Sequence, residues 1–580
     1  MRTFYETDIR RRVKFLSFIL AGWGVVVGLR LVQVQVFGHT RAKAAVLKQA
    51  REMARIEPRR GNILDRNGEI LACSLPSPSV AIRPVDKETP AEERAKVLKL
   101  QKELGLTASD VAYILGRLRE EATFTYVKQK IQPADAARVM ALKLPGVELE
   151  AATRRYYPLG PLASHILGGM RLADNTPTGV ESRYDSVLKG EEGQQINYRV
   201  RGGRGYQTRI IKSPVPGKDV TLTIDATIQY IVEKELARAV AEHKANWGTV
   251  IVMDPFSGEI LAMANLPAYD VNDFPGPKEA WLNRAIQASY EPGSTFKIVA
   301  AAAVRERNRV GFSELFDCSA GFIRVGGTVI TDHDRVRILS FPQVLIESSN
   351  VGTVLFAQRL STAEYFETIK AFGFGKKTGI DLPGEVSGAV KPPERWTKKI
   401  SLPHIAIGYE VMVTPIQTLT SMNVFATGGL RVQPHLVKGG GVSAEDTDVP
   451  MRVISGKTAS DLVERVFAAV VEKGTGKEGR LDGFGAAGKT GTAQKVDPAT
   501  GTYSREKYTA SFVGFTPLER PRLSMIVVLD EPKEGYYGGQ VCAPVFKDIA
   551  RQVLRYLRVP PERPRPPKVL TAEMKRGRRP

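Results

Sequence analysis

Cysteine is scarce in this chain. Its 580 residues include three, Cys73, Cys318 and Cys542, far apart and without a C-x-x-C spacing. So small and scattered a set supports neither a disulfide framework nor a zinc site. Histidine is nearly as rare, with six residues and no H-E-x-x-H, so the sequence calls for no metal and no cofactor. Acidic residues are also in short supply. Asp and Glu number 62 against 83 Lys and Arg, a formal net charge of +21. Such a surplus selects anionic partners, either nucleic acid or the acidic face of a membrane.

What is present is ordinary for folded protein: 43% apolar and 25% charged residues, in a chain long enough for two or three domains. One segment decides between the anionic partners. Residues 15–37 read FLSFILAGWGVVVGLRLVQVQVF, with Arg30 as the sole charge. That length crosses a hydrocarbon core of about 30 Å. A cleaved signal peptide is the rival, but no small-x-small cleavage site follows. A buried soluble helix seldom stays apolar all round. Arg2, Arg10, Arg11, Arg12 and Lys14 precede the span and argue for a cytoplasmic N-terminus, although Arg41, Lys43 and Lys48 lie beyond it. The segment reads as a single anchor, with residues 1–14 cytoplasmic and the remainder outside the cytoplasm, where a basic protein meets membrane and not nucleic acid.

A basic amphipathic stretch, Arg41 to Arg59, leads into "RRGNILDRNGEILACS", where Asp65, Asn67 and Gly68 mark a hairpin turn. Residues 88–143 carry helical patterns. A Gly, Pro and Lys cluster ending in "SPVPGKDV" marks a domain boundary near residue 215. Beyond it, "ATIQYIVEKELARAVAEH" has helical period, and "WGTVIVMDPFSGEILAMAN" reads as a hairpin turned at Ser257-Gly258. A long, mostly helical region runs to about residue 430. Strand-like "GAAGKTGTAQKV", "YTASFVGFTP" and "RLSMIVVLDEP" follow, and a helix from Ala543 to about Arg558 closes the domain. Strands at both ends with helices between predict an α+β sheet whose first and last strands are neighbours. The Pro-rich basic tail, 561–580, has the composition of a disordered segment.

The stretch "YEPGSTFKIVAAAAV" sets Ser294 one turn ahead of Lys297. A serine hydroxyl is a poor nucleophile until a base takes its proton. Residues at i and i+3 share a helix face, so the Lys297 amine is expected to reach the Ser294 oxygen. The amine is a base only when neutral, and burial, a second cation and a helix N-terminus all favour that form. The spacing alone proves little, because Ser186–Lys189 and Ser504–Lys507 share it. Its companions carry the signal. Ser348-Ser349-Asn350 is an S-x-N, 348 − 294 = 54 residues on. Lys489-Thr490-Gly491 is a K-T-G, 489 − 348 = 141 further on, and it opens a strand-like run that puts Thr490 and Thr492 on one face. Two other triplets fail on context. Lys377-Thr378-Gly379 lies in a turn-rich loop, and Ser421-Met422-Asn423 sits inside an apolar helix.

These three motifs are the set shared by penicillin-binding proteins and class A β-lactamases. With "RRGNILDRNGEILA", "TGVESRYDSVLKG", "MDPFSGEILAMANLPAYDVN", "FGFGKKTGIDLPGE", "GYEVMVTPIQ" and "YTASFVGFTP", the chain resembles a class B penicillin-binding protein, most like the septal, cell-division type. The resemblance implies a multi-domain α+β chain. Its parts are a transmembrane helix (15–37), an elongated mixed α/β pedestal, dimerisation-like (38–215), and a transpeptidase domain (216–560) whose antiparallel sheet is flanked and covered by helices. It implies the bacterial inner membrane, peptidoglycan D-Ala-D-Ala stem peptides as substrate, β-lactams as inhibitors, and a polytopic glycosyltransferase with division-complex proteins as partners. By resemblance, Ser294 is the nucleophile, Lys297 the general base, and Ser348 the proton relay assisted by Lys489. Asn350, Thr490, Gly491 and Thr492 bind the donor peptide, and the N–H groups of Ser294 and Thr492 form the oxyanion hole. Elongation- and sporulation-specific transpeptidases, and a β-lactam sensor or serine β-lactamase, are the alternatives. Asp65, Arg66 and Glu181 are read as structural, and the three cysteines as core residues.

Overall fold

The computed structural model describes residues 2–33, 51–83, 85, 88–120, 124–171, 176–199, 206–273, 278–333, 337–438, 450–497 and 499–562. Helix α1 spans Arg2–Val32. Within it Val13–Val32 has a mean hydropathy of 2.0 and none of it is buried. At 1.5 Å per residue such a stretch is about 30 Å long, enough to cross a membrane. Residues 34–37 of the expected span, 41–50 of the expected amphipathic stretch and 563–580 of the tail lie outside the described residues.

The chain gathers into two compact units, each assembled from separated stretches. The first comprises 1–60, 76–154 and 189–217. Its helices Pro90–Leu104 and Ala108–Arg119 both open on capping boxes, Thr89 with Glu92 and Thr107 with Asp110. They bury Val97, Leu100, Ile114 and Leu118 against Val80 and Ile82 of a three-stranded sheet. Strand Thr125–Lys128 of that sheet interrupts the stretch expected to be helical. Its residues alternate buried and exposed, a period of two that a four-residue run barely displays. A second three-stranded sheet joins Arg51–Ile56, Gly193–Arg199 and Tyr206–Lys212. Residues 51–56, read from sequence as amphipathic, are therefore a strand.

The second unit comprises 61–75, 155–188 and 218–580. Its centre is a five-stranded antiparallel sheet. Helix α2 (Ala226–Glu242) precedes strands β1 (Trp247–Met253) and β2 (Ile260–Leu266). Helices α3 (Lys297–Glu306), α4 (Asn350–Ala357) and α5 (Pro415–Ala426) follow. Strands β3 (Ala487–Val496), β4 (Tyr503–Thr516) and β5 (Leu523–Asp530) and helix α6 (Ala543–Tyr556) complete it. The strand order is β2-β1-β5-β4-β3, so the expected pairing of first and last strands is present, Trp247 opposite Asp530.

Both faces of this sheet are covered. Val250 and Val252 of β1 point into a cluster with Val232 and Leu236 of α2 and Phe546, Ile549 and Val553 of α6. Ile251 and Met253 point the other way, into a cluster with Ile298 of α3 and Ile416, Leu419 and Met422 of α5. Each such fully buried side chain contributes about 1.5–3 kcal/mol. Two N-terminal stretches join this unit through polar anchors. The Asp65 carboxylate accepts from the backbone N–H of Asn67 (2.7 Å), Glu69 (2.8 Å) and Ala226 (3.2 Å). Arg66 pairs with Glu259 at 3.0 Å. Arg155 pairs with Glu181 at 2.5 Å with side-chain exposures of 4% and 0%, and Tyr157 donates to the same carboxylate. Cys73, Cys318 and Cys542 are buried free thiols.

Candidate active site

Pro292 and Gly293 bring the chain into a 3₁₀ turn, Gly293–Phe296, which passes directly into α3 at Lys297. Side chains three apart eclipse on a 3₁₀ turn, so Ser294 and Lys297 stack on one side of it. Ile298 to Val304 are wholly buried, and the run Ala300–Ala303 lets α3 pass through the middle of the core. Gly293 has φ +54° and donates its N–H to Gly408 O at 3.1 Å. Glu291, just upstream, accepts from Glu410 N (2.9 Å) and Tyr503 OH (3.1 Å).

Lys297 is fully buried. Its Nζ donates to Ser348 O at 2.6 Å and to Asn350 Oδ1 at 2.8 Å, and lies 3.3 Å from Ser348 Oγ. The amine is thus tied to the S-x-N segment in the free site, where the sequence reading sent it to the Ser294 oxygen. The reason is local. Two carbonyl oxygens stand within reach of Nζ, and a buried N–H cannot be left without an acceptor. Burial pulls Lys297 down to about 7, against an upward pull from the Asp332 carboxylate.

Ser348 sits just before α4 with φ +60°, a region that side-chain-bearing residues seldom occupy and that costs about 1–3 kcal/mol. Its Oγ accepts from Lys489 Nζ at 2.9 Å. Lys489 is also fully buried, and its amine lies well below the ordinary lysine value through desolvation and then repulsion from Lys297. Two buried amines therefore share one hydroxyl.

Lys489, Thr490, Gly491 and Thr492 lie on β3, at the edge of the sheet. A Cβ on Gly491 would stand 2.4 Å from Ser511 Oγ, 2.9 Å from Thr295 Cγ2 and 3.0 Å from Pro292 O. The missing side chain is what lets the strand close on the nucleophile turn. Thr490 Oγ1 bonds Thr475 Oγ1 at 2.8 Å, and Thr492 Oγ1 accepts from Gly538 N at 3.1 Å.

Ser294, Ser348, Thr490 and Thr492 line one cleft of about 620 Å³. Asp332, His333, Thr475 and Tyr537, none marked by a motif, line it as well. The His333 and Tyr537 rings meet edge-on, 5.6 Å between centroids. Among the described residues no cluster of His, Cys, Asp and Glu could hold a metal ion. The rejected triplets serve the fold. Asn423 in α5 bonds Pro255 O and Ser524 Oγ, and the Thr378 N–H and hydroxyl both donate to Glu385.

Known proteins resemble this chain over most of its length. Residues 248–551 match the penicillin binding protein transpeptidase domain family, and residues 55–222 the penicillin-binding protein dimerisation domain family. The chain is 33% identical to the peptidoglycan D,D-transpeptidase FtsI of Escherichia coli, over 87% of its own length and 84% of that protein. It is 32% identical to the stage V sporulation protein D of Bacillus subtilis, over 96% and 88%. Penicillin-binding protein 3 of Mycobacterium tuberculosis, solved with ampicillin, superposes with a TM-score of 0.68 at 28% identity, covering 89% of this chain and 99% of that one.

Proposed function

The chain belongs to the class B penicillin-binding proteins and is a serine-type peptidoglycan D,D-transpeptidase; on that premise we propose how its own residues perform the transfer. Neutral Lys297 takes the proton of Ser294 as Oγ attacks the carbonyl carbon of the penultimate D-Ala. Free-site hydrogen bonds of this kind tighten only when substrate arrives. The oxyanion is held by the N–H groups of Ser294 and Thr492. Collapse expels the terminal D-Ala, whose amine receives its proton through Ser348, and leaves an ester on Ser294. Lys489 with the Thr490 and Thr492 hydroxyls holds the donor carboxylate, an anion whose arrival favours the ammonium form that burial opposes in the free site, and Asn350 holds the donor amide. An amine of a second stem peptide then attacks the ester, forms the cross-link and returns the proton.

The single observation that supports this most is Ser348 Oγ lying within 2.9 Å of Lys489 Nζ and 3.3 Å of Lys297 Nζ, at the wall of the cleft that Ser294 lines. The test is covalent labelling of the full-length protein by a fluorescent penicillin. Ser294→Ala abolishes labelling with little change in thermal midpoint; labelling that persists ends the assignment.

A cytoplasmic N-terminus and a catalytic unit outside the inner membrane are supported by the basic residues Arg2, Arg10, Arg11 and Arg12 in the part of α1 that precedes its apolar stretch. A septal role, with a polytopic glycosyltransferase and division-complex proteins as partners, is supported by the likeness to FtsI. A sporulation role is the second reading, favoured by the match to the B. subtilis protein over 96% of this chain. A fluorescent fusion that collects at midcell in growing cells supports the first, and one made only in the forming spore supports the second.

A further inference from the structure

A carboxylate that no motif contains governs the shape of the S-x-N segment. Asp332 Oδ1 accepts from the backbone N–H of Asn350 at 2.5 Å and of Val351 at 3.0 Å, and Oδ2 accepts from Ser349 Oγ at 2.7 Å. Ser349 Oγ in turn accepts from Gly352 N at 2.9 Å. One side chain thus engages three consecutive residues directly after Ser348. Asp332 is itself anchored. It ends a hairpin of strands Phe322–Val325 and Thr328–Thr331, and its own N–H donates to Gly321 O at 2.9 Å. Val325 and Ile330 of that hairpin pack against Val354 of α4 and Ile407. Thr331 O accepts from Asn350 Nδ2 at 2.8 Å.

We propose that Asp332 is a positioning residue of the transfer reaction, whose carboxylate grips Ser349, Asn350 and Val351 so that Ser348 keeps its strained conformation and holds its hydroxyl between Lys297 and Lys489. The inference rests on the reading of Ser294, Lys297 and Ser348 as the reacting groups. A φ of +60° at a serine relaxes unless its surroundings over-determine it. Three charge-assisted hydrogen bonds immediately downstream supply that constraint. Geometry set by such outer contacts controls rate steeply, since a displacement of about 1 Å can cost about 10²-fold.

The same carboxylate acts on Lys297 through space, favouring its charged form. The other titratable groups around the cleft are Lys489 on β3, Glu347, His333, Lys473, Lys477, Glu478 and Tyr537 in its lining, and the Cys318 thiol behind Ser349. Burial opposes Asp332 at Lys297, and a charge on Lys297 disfavours one on Lys489.

The test measures the acylation rate of the full-length protein in detergent by a fluorescent penicillin from pH 5.5 to 9.5. Asp332→Ala removes grip and charge, and slows acylation by about 10²-fold. Asp332→Asn keeps an oxygen for the two backbone N–H groups but loses the charge. It remains within about tenfold of the native rate at high pH, and its acid limb moves down by about half a unit or more. Asp332→Ala within threefold of native, or an unmoved limb in Asp332→Asn, overturns the proposal, and the latter marks a purely structural aspartate. If Asp332→Ala does not fold, Asp332→Asn decides alone. Native protein that fails to label, or Ser294→Ala that labels, sinks the assignment of the reacting groups instead, so the two failures are separable.

Discussion

Lys489 Nζ donates to Ser348 Oγ at 2.9 Å, although 141 positions separate the two residues. The bond welds the edge strand of the sheet to the segment ahead of α4 and leaves the Ser348 hydroxyl between two amines. Lys297 supports the same arrangement. A neutral amine has two N–H groups and one lone pair, and its two short contacts, to Ser348 O and Asn350 Oδ1, use both donors. The lone pair is left for a hydroxyl proton.

Acylation therefore follows the neutral fraction of Lys297. With that amine near 7, the rate falls about tenfold for each pH unit below the midpoint and levels above it. An exposed lysine would place the midpoint near about 10.4. A stopped-flow profile of penicillin acylation with its acid limb above pH 9 contradicts the burial described above. Lys297→Arg leaves less than about a thousandth of the rate, because guanidinium stays charged in any accessible buffer.

Gly491→Ala tests the approach of strand to nucleophile. The new methyl meets Ser511 Oγ, Thr295 Cγ2 and Pro292 O within 3.0 Å, so β3 or the 3₁₀ turn has to move. Overpacking of this kind costs about 1–3 kcal/mol, and the displaced turn slows acylation by more than tenfold. Calorimetry and labelling report the two effects separately. Native labelling with a native midpoint would remove the close-approach argument.

Arg155→Met tests the buried pair in the second unit. Glu181 loses its 2.5 Å partner with no exposure to water, a loss worth about 3–5 kcal/mol. Urea unfolding reads it as a lower midpoint at unchanged slope. Arg155→Met with Glu181→Leu recovers most of the loss, since the stranded charge is gone. Equal midpoints for native and Arg155→Met protein would show that solvent reaches the carboxylate.

Ser294, Lys297, Ser348, Lys489 and the two threonines could be singled out in the sequence because the chemistry proposed for them demands particular residue types at short spacing within each motif. The sheet was legible because β1 and β5 alternate between two apolar faces. Asp332 was not. Its contacts run from a side chain to backbone N–H groups 18 and 19 residues away, and backbone donors leave no mark on composition. The hairpin that carries it lies in a region read as helical, since "FIRVGGTVIT" is too short to outweigh the apolar runs around it. The destination of Lys297 Nζ was equally hidden, because a flexible four-carbon stem reaches several acceptors and only tertiary packing chooses among them. The discontinuous second unit escaped for a similar reason. Ile63 pairs with both Ala72 and Val220, and a partner 157 positions away (220 − 63) has no local signature.

The order of strands also sets when reactivity begins. Lys489 leaves the ribosome 489 − 294 = 195 residues after Ser294, and the strand that bears it hangs on β4, which hangs on β5, which pairs with β1. An early-emerging serine accordingly has no amine partner across the cleft, no threonine cradle and no rigid wall. A ribosome stalled before residue 530 carries a chain that penicillin does not recognise, and the nascent protein stays chemically silent until its last strand slots in beside its first.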